Sequence, residues 1–374
     1  MNDESRHEIA QALVRWYDRN KRQMPWRDID DPYRIVLSEF MLQQTQVDTV
    51  IPYFEQFTKE FPTVHDLANA DLDRVLKLWE GLGYYTRARN LHKAARTIAD
   101  DHSGKVPQDY HTLKSLPGFG PYTTAAVLSM AYGKPHAVLD GNVIRVLSRL
   151  LGMREHVNLP AVKRKLQGAA DDLLNVDRPG DHNQAMMDLG ATVCRPRKPR
   201  CRDCPISKHC EANTRGLTDS IPAKTKRKSR PERIYLAVIV RRESRSLISR
   251  RKPEGLLGGL WEFPTVEVDS IPKEDAIPET FKQETGLKIS SHRPFGTVKH
   301  GFTHFSAVVH AFVCEWESGD PHQETYDRHE WVTQGDLDKY AYSRIARQLV
   351  DSLVEAASSP QTFFDFEKHK EQNP

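Results

Sequence analysis

Apolar residues recur at helical spacing from Ser5 to about Arg215, and the period changes after that. Ile9, Leu13 and Trp16–Tyr17 lie on one helical stripe. Val143, Val146, Leu147, Leu150 and Leu151 form another, which stops at Gly152. Residues 216–232 lose all periodicity, are polar and hold two prolines, the composition of an interdomain linker. The run Ile234-Tyr-Leu-Ala-Val-Ile-Val240 is β-branched and fits a buried strand, and Ser306 to Val313 fits a second. Helical patterning returns near Glu279–Thr285 and Ser343–Ala356. The pattern predicts a multidomain chain: an all-α domain over 1–215, a linker over 216–232, a smaller α/β domain over 233–368 and a tail over 369–374.

Composition narrows this only a little. A chain of 374 residues has room for two or three domains with ordinary cores. Its 28% charged and 38% hydrophobic residues suit a wet surface, and its aromatic content argues against wholesale disorder. No window approaches the roughly eighteen apolar residues of a membrane span. Met1 to Ala10 is polar and charged, so no secretory signal and no membrane partner are expected. The net charge of +3 decides nothing, but its distribution does. Residues 222–252 hold twelve Lys and Arg against two Glu, and Arg195 to Lys208 adds six basic residues against one Asp. Such runs are either a solvated junction or a phosphate-binding surface.

Cys194, Cys201, Cys204 and Cys210 form a C-x6-C-x2-C-x5-C array at the end of the helical domain. Four thiolates this close in sequence can converge on one metal centre, either zinc or a 4Fe–4S cluster. Zinc sites usually bring two C-x2-C knuckles and here there is one, so spacing favours the cluster. The fifth, Cys314, sits in an apolar run and is expected in the core. Residues 116–125, Leu-Pro-Gly-Phe-Gly-Pro-Tyr-Thr-Thr-Ala, join two helices through Gly118 and Gly120, with the second helix expected from Thr123. Such a turn is either a plain αα-hairpin or an oxyanion cradle for phosphate. Asp140 precedes a helix, where it could be an N-cap or a catalytic carboxylate. Glu39 lies among apolar neighbours in Ile35-Val-Leu-Ser-Glu-Phe-Met-Leu42, so it is either the exposed edge of an amphipathic helix or a desolvated acid.

Taken together, Leu116-Pro-Gly-Phe-Gly120, Val138-Leu-Asp-Gly-Asn-Val-Ile-Arg-Val146 and the cysteine array resemble the helix–hairpin–helix DNA glycosylase superfamily with its iron–sulfur loop. Leu37-Ser-Glu-Phe-Met-Leu-Gln-Gln-Thr-Gln-Val47, Gly81-Leu-Gly-Tyr-Tyr-Thr-Arg-Ala-Arg-Asn-Leu-His92 and Asn183-Gln-Ala-Met-Met-Asp-Leu-Gly190 are similar to its adenine-specific branch. The resemblance covers the helical domain end to end and implies two helical lobes with a 4Fe–4S cluster on the four cysteines. It implies removal of adenine from A:8-oxoguanine or A:G mispairs in double-stranded DNA. Glu39 then corresponds to the general acid and Asp140 to the carboxylate that stabilises the sugar cation, a division of labour known in glycosidic cleavage. Asn142 and Tyr122 correspond to positioning residues. Bifunctional relatives carry lysine at the place of Tyr122, which cannot form a Schiff base, so the enzyme is expected to be monofunctional. Gln43, Gln44 and Tyr84 correspond to the wedge that fills the stack when the base leaves, and Arg27 and Asp188 to the adenine pocket. Gly118 and Gly120 correspond to the phosphate-binding turn.

In the second domain, Gly255-Leu-Leu-Gly-Gly-Leu-Trp-Glu-Phe-Pro264 and Glu279-Thr-Phe-Lys-Gln-Glu-Thr-Gly-Leu287 resemble a worn Nudix box. Thr280 and Gln283 stand where two metal-holding glutamates belong and only Glu284 remains, so hydrolysis of a pyrophosphate is not expected. The resemblance implies that this domain reads the base opposite adenine through Phe302, Thr303 and His304; relatives often have Ser at the middle place. Three rivals stand beside this reading. They are a strand-cleaving lyase, a DNA-binding redox sensor without catalysis, and a Nudix pyrophosphohydrolase. A monomer is expected, with repair-protein contacts through the linker and a cytoplasmic, nucleoid-associated location if the source is prokaryotic.

Overall fold

The computed structural model describes residues 2–223, 229–321 and 325–358. Part of the linker (224–228), the last part of the second domain (359–368) and the tail 369–374 therefore lie outside the described residues. The chain forms two compact units, one of residues 1–69 and 90–227, the other of residues 70–89 and 228–374. The second is thus assembled from two separate stretches of chain.

Eleven α-helices run from Asp3 to Thr192: α1 (Asp3–Asn20), α2 (Pro32–Leu42), α3 (Val47–Glu60), α4 (Val64–Asn69), α5 (Leu72–Leu78), α6 (Thr86–Asp101), α7 (Tyr110–Ser115), α8 (Pro121–Tyr132), α9 (Gly141–Leu150), α10 (Pro160–Leu173) and α11 (Pro179–Thr192). Of these, α5 and the first turn of α6 belong to the second unit. Helix α2 starts on Asp31, whose side chain accepts from the Tyr33 and Arg34 N–H groups, with Pro32 in the first turn. Every residue from Ile35 to Met41 is buried, so α2 is a central helix without a solvent face. It packs on α8, buried without break from Thr123 to Ser129. That burial removes the reading of Glu39 as an exposed edge. Helix α8 begins at Pro121, two residues before the expected Thr123, because proline suits the first helical turn, where its missing N–H costs nothing. The stripes on α1 and α9 meet in one core: Ile9, Leu13, Val143, Val146, Leu147 and Leu150 pack with Leu166 and Leu189.

The second unit is built on a seven-stranded mixed sheet. Its strands are β1 (Glu232–Arg242), β2 (Arg245–Arg251), β3 (Trp261–Glu262), β4 (Thr265–Val268), β5 (Lys288–Gly301), β6 (Ser306–Ser318) and β7 (Tyr326–Thr333). Central β1 and β6 run parallel, while β5 pairs antiparallel with β6. Helix α12 (Glu211–Thr214) belongs to the first unit, and α13 (Ile277–Thr285) and α14 (Arg344–Ser358) flank the sheet. The unbroken apolar run of β1 serves two cores, because side chains alternate across a strand. Ala237 and Ile239 pack with Ala346, Leu349 and Val350 of α14, whereas Leu236, Val238 and Val240 pack with Ile277 and Phe281 of α13. Cys314 is fully buried in the second of these cores, as its apolar run predicts.

Candidate active site

In the first unit a cavity of about 650 Å³ gathers Trp26, Arg27, Glu39, Tyr122, Asp140 and Asn142. Glu39 comes from the middle of α2 and Tyr122 from the first turn of α8. Asp140 is the N-cap of α9: its Oδ1 accepts from the Val143 N–H at 2.7 Å, and its Oδ2 accepts from Asn142 Nδ2 at 3.1 Å. The N-cap role and a place in the cavity therefore coexist. Asn183 sets the approach to Asp140. Buried on α11, it accepts from the Val138 N–H at 3.1 Å and donates to Ser129 Oγ and the His136 carbonyl, both at 2.8 Å.

Glu39 is 4% exposed, and its Oε2 has no hydrogen-bond partner among the described residues. Burial pushes its pKa up to about 7, and the charge of Asp140 pushes the same way. The nearby Tyr122 hydroxyl and Arg27 guanidinium offset only part of this. Burial also raises Asp140, against the Val143 N–H, Asn142 and Arg145, which hold it down. Tyr122 is pushed well above the usual phenol range, chiefly by burial, and its hydroxyl donates to Met187 Sδ at 3.3 Å.

Asp188 does not line this cavity. It is completely buried and its oxygens are taken up by two arginines. Arg27 reaches Oδ2 at 2.7 Å and Oδ1 at 2.9 Å, and Arg22 reaches Oδ1 at 2.6 and 2.8 Å. Burial raises its pKa, but the two guanidinium groups outweigh that and leave it below the ordinary value. Asp188 therefore stands behind Arg27 and orients it, while Arg22 itself lines the cavity. Nothing in the polar stretch Asn20-Lys-Arg-Gln23 singles out Arg22; only its ion pair does.

The turn after α7 requires Gly118. Its φ is +81°, and a Cβ there would stand 2.6 Å from the Phe40 ring and 2.9 Å from Asn90 Cβ. Gly120 is different: it has an extended backbone, open space around it, and caps α8. Gln43 donates to Thr123 Oγ1 at 3.2 Å, and Gln44 is exposed with a φ of +61°. Neither lines the cavity.

All four cysteines border one small cavity of about 20 Å³ beside the end of α11, and three of them pack on the core shared by α1 and α9. Arg149 donates to Cys194 Sγ at 3.3 Å and to the Arg195 carbonyl at 2.8 Å. Burial raises the Cys204 thiol to about 12, so a thiolate there needs a positive partner. Among the described residues no three His, Cys, Asp or Glu side chains have the spacing of an assembled metal site. The donor set itself, four thiols on one cavity beside a guanidinium, fits an iron–sulfur or zinc centre.

In the second unit the turn Phe302–Phe305 joins β5 to β6 and is closed by the Phe302 N–H donating to the Phe305 carbonyl at 2.8 Å. Phe302 and Phe305 stack inward at 4.7 Å, leaving Thr303 and His304 exposed at the tip. Tyr84 lies in the same unit, 48% exposed, with a φ of +48°. Of the worn box, Thr280 donates to the Ala276 carbonyl and Gln283 to Glu279, while Glu284 borders a separate cavity of about 440 Å³.

Comparison with known proteins finds two families, the first of which also spans the segment 70–89. A family profile described as HhH-GPD superfamily base excision DNA repair protein matches residues 37–170, and a NUDIX domain profile matches 235–352. The chain is 33% identical to the adenine DNA glycosylase of Homo sapiens, over 90% of this chain and 72% of that protein. It is 33% identical to that of Schizosaccharomyces pombe, over 88% and 86%. Among solved structures, a thermostable thymine-DNA glycosylase superposes with a TM-score of 0.53 at 30% identity, covering 57% of this chain and 98% of that one. An endonuclease III–DNA covalent intermediate superposes with a TM-score of 0.50 at 21% identity, covering 58% and 99%, a likeness of fold.

Proposed function

Since the chain belongs to the adenine DNA glycosylase family, and its substrate is DNA and its reaction base excision, we propose that it hydrolyses the N-glycosidic bond of adenine mispaired with 8-oxoguanine or guanine. Glu39 is the acid and Asp140 the anion of this mechanism. The observation that carries the assignment is that, among the carboxyl groups lining one cavity, Glu39 and Asp140 stand in unequal surroundings, Glu39 buried without a partner on Oε2 and Asp140 held by two donors.

Glu39 keeps its proton up to about pH 7 and delivers it to adenine N7 as the C1′–N9 electron pair leaves with the base. Asp140 faces the positive charge that develops on the sugar, and its cap bonds keep it from turning away. A water then adds at C1′ and the proton it loses returns to Glu39, which restores the enzyme. Tyr122 holds the place between these carboxyls without an amine, so the reaction ends at an abasic site and the strand stays whole. Arg27, braced by Asp188, borders the pocket for the extruded base. Gln43, Gln44 and Tyr84 fill the vacated stack, while Thr303 and His304, with Phe302 beneath them, read the base left behind.

Cys194, Cys201, Cys204 and Cys210 would hold a 4Fe–4S cluster, which when bound cross-links the basic loop from Arg195 to Lys208. That loop and the N–H groups at Gly118 and Gly120 serve the DNA phosphates. Single-turnover reactions on duplexes with adenine opposite 8-oxoguanine, guanine or thymine test the scheme. The expected result is strand breakage only after alkali, and none in Glu39→Gln. Breakage without alkali overturns the monofunctional assignment, and tight binding without product overturns catalysis.

A further inference from the structure

The wedge residue Tyr84 and the turn Phe302–Phe305 belong to one compact unit, although more than two hundred residues separate them in sequence. A set of bonds ties the segment 70–89 to the residues before and within α14, and Phe302 borders one cavity with Ser343, Ile345 and Ala346 of that same stretch. The Tyr85 hydroxyl accepts from the Gly81 N–H at 3.3 Å and donates to the Tyr342 carbonyl at 2.9 Å, so the residue beside the wedge ties the wedge turn to the residues before α14. Glu80 and Arg347 meet as a two-pronged pair, Nε to Oε1 at 2.7 Å and Nη2 to Oε2 at 3.3 Å, with side chains only 15% and 22% exposed. Arg347 also lies over the Tyr342 ring at 4.8 Å. Lys77 bonds both Glu80, at 2.7 Å, and the Tyr340 carbonyl, at 3.0 Å. Arg89 donates to the Gly258 carbonyl at 2.5 Å.

Within the segment the loop is braced from below. Arg87, 6% exposed, donates to the carbonyls of Leu82 and Gly83 and lies between the rings of Trp79 and Tyr84 at 5.3 and 5.5 Å. An exposed tyrosine at positive φ is strained, and such a conformation persists only where its surroundings over-determine it. Here the immediate surroundings are Trp79 and Arg87 of the same segment, which Tyr85 and Glu80 in turn tie to Tyr342 and Arg347.

We infer that Glu80, Tyr85 and Arg347 are positioning residues that couple reading of the base opposite adenine to insertion of the Tyr84 wedge, so that the two act as one piece. This deepens the proposed function and rests on its assignment of Tyr84 as wedge and Phe302–His304 as reader. The coupling acts before chemistry, on extrusion of the base.

The test uses the full-length, cluster-loaded protein, stopped-flow fluorescence of 2-aminopurine beside the target adenine, and single-turnover excision. Arg347→Met and Tyr85→Phe are expected to slow extrusion opposite 8-oxoguanine by about ten-fold. Excision of adenine opposite an abasic site, where no partner base is read, stays at the wild-type rate. Arg347→Lys, which keeps the charge but not the two-pronged geometry, recovers only part of the loss. Glu80→Gln combined with Arg347→Met is no slower than Arg347→Met alone, the sign of a shared interaction. Equal slowing on both duplexes reduces these residues to structural supports and overturns the inference. So do wild-type rates in both single variants when Tyr84→Ala is slow. If Tyr84→Ala is itself unimpaired, the wedge assignment has failed rather than the coupling.

Discussion

The two units each bury carboxyl groups beside a cavity but surround them in opposite ways. In the helical unit Glu39 is 4% exposed with a vacant oxygen and a pKa pushed to about 7. In the Nudix-like unit Glu262 is 7% exposed, but its Oε1 accepts from Arg251 at 2.9 Å and from the Tyr326 hydroxyl at 3.0 Å. Glu267, on the rim of the same cavity, pairs with Arg233 at 3.5 Å and Tyr235 at 3.1 Å. A buried carboxylate with a cation and a hydroxyl on it is compensated and serves the fold. One whose nearby hydroxyl and cation offset only part of its burial is held closer to its neutral form near neutral pH. Asp188 makes the contrast inside the helical unit alone, since it is as buried as Glu39 and carries two guanidinium groups.

The largest effect expected from this contrast is in Asp188→Ala, which leaves Arg27 buried and unpaired at a cost of about 3–5 kcal/mol. Chemical denaturation of the folded protein measures it, and a loss below about 1 kcal/mol would mean that the arginines find other partners. Next comes the titration of Glu39. Below about pH 7 the group is protonated and competent, so the single-turnover rate falls as pH rises through that value, roughly ten-fold per unit beyond it. The folded pKa lies above the unfolded one. Stability is therefore undiminished below the unfolded value near 4.5, and is lost progressively up to about pH 7, on the order of 3 kcal/mol in all. Glu39→Gln is expected to be inactive yet more stable than wild type at pH 8, with the gain absent at pH 4. A gain that does not grow with pH would break the comparison. In the other cavity, Glu262→Gln is expected to cost about 1–3 kcal/mol of stability while leaving excision by the folded protein unchanged. A loss of catalysis there would make that cavity part of the reaction. The smallest effect concerns the exposed tip. Thr303→Ser keeps the hydroxyl and is expected to change the preference for 8-oxoguanine over guanine by less than about two-fold, whereas Thr303→Val shifts it by about ten-fold, read from single-turnover rates on the two duplexes.

Much of the architecture was legible because it follows from local pattern. The stripe Ile9–Leu13–Tyr17 forms one face of α1, the run 234–240 is β1, and the worn box lies on α13 with Gly286 capping it at positive φ. Glu39 was ambiguous for a physical reason. A lone carboxyl in an apolar stretch is buried only if the helix has no solvent face, and it is α8, packed on α2, that removes that face. Asp188 could be placed on α11 but not oriented, since its direction depends on Arg22 and Arg27, some 160 residues away in sequence. The membership of 70–89 in the second unit was invisible to periodicity, because ion pairs and carbonyl contacts such as Glu80–Arg347 leave no spacing signal.

By itself, then, the chain's order of residues determined the elements and the chemical groups on offer. Those groups are two candidate carboxyls, a tyrosine in place of an amine, four thiols and a turn needing Gly118. These depend on interactions within a few residues of each position, and period, capping and side-chain type encode them directly. Tertiary structure decided which carboxyl keeps an oxygen without a hydrogen-bond partner and which unit the segment 70–89 joins. Both are set by what distant segments bring alongside: a pKa follows from burial and from charges several ångströms away, and an ion pair is specified by two residues whose separation along the chain can be any length.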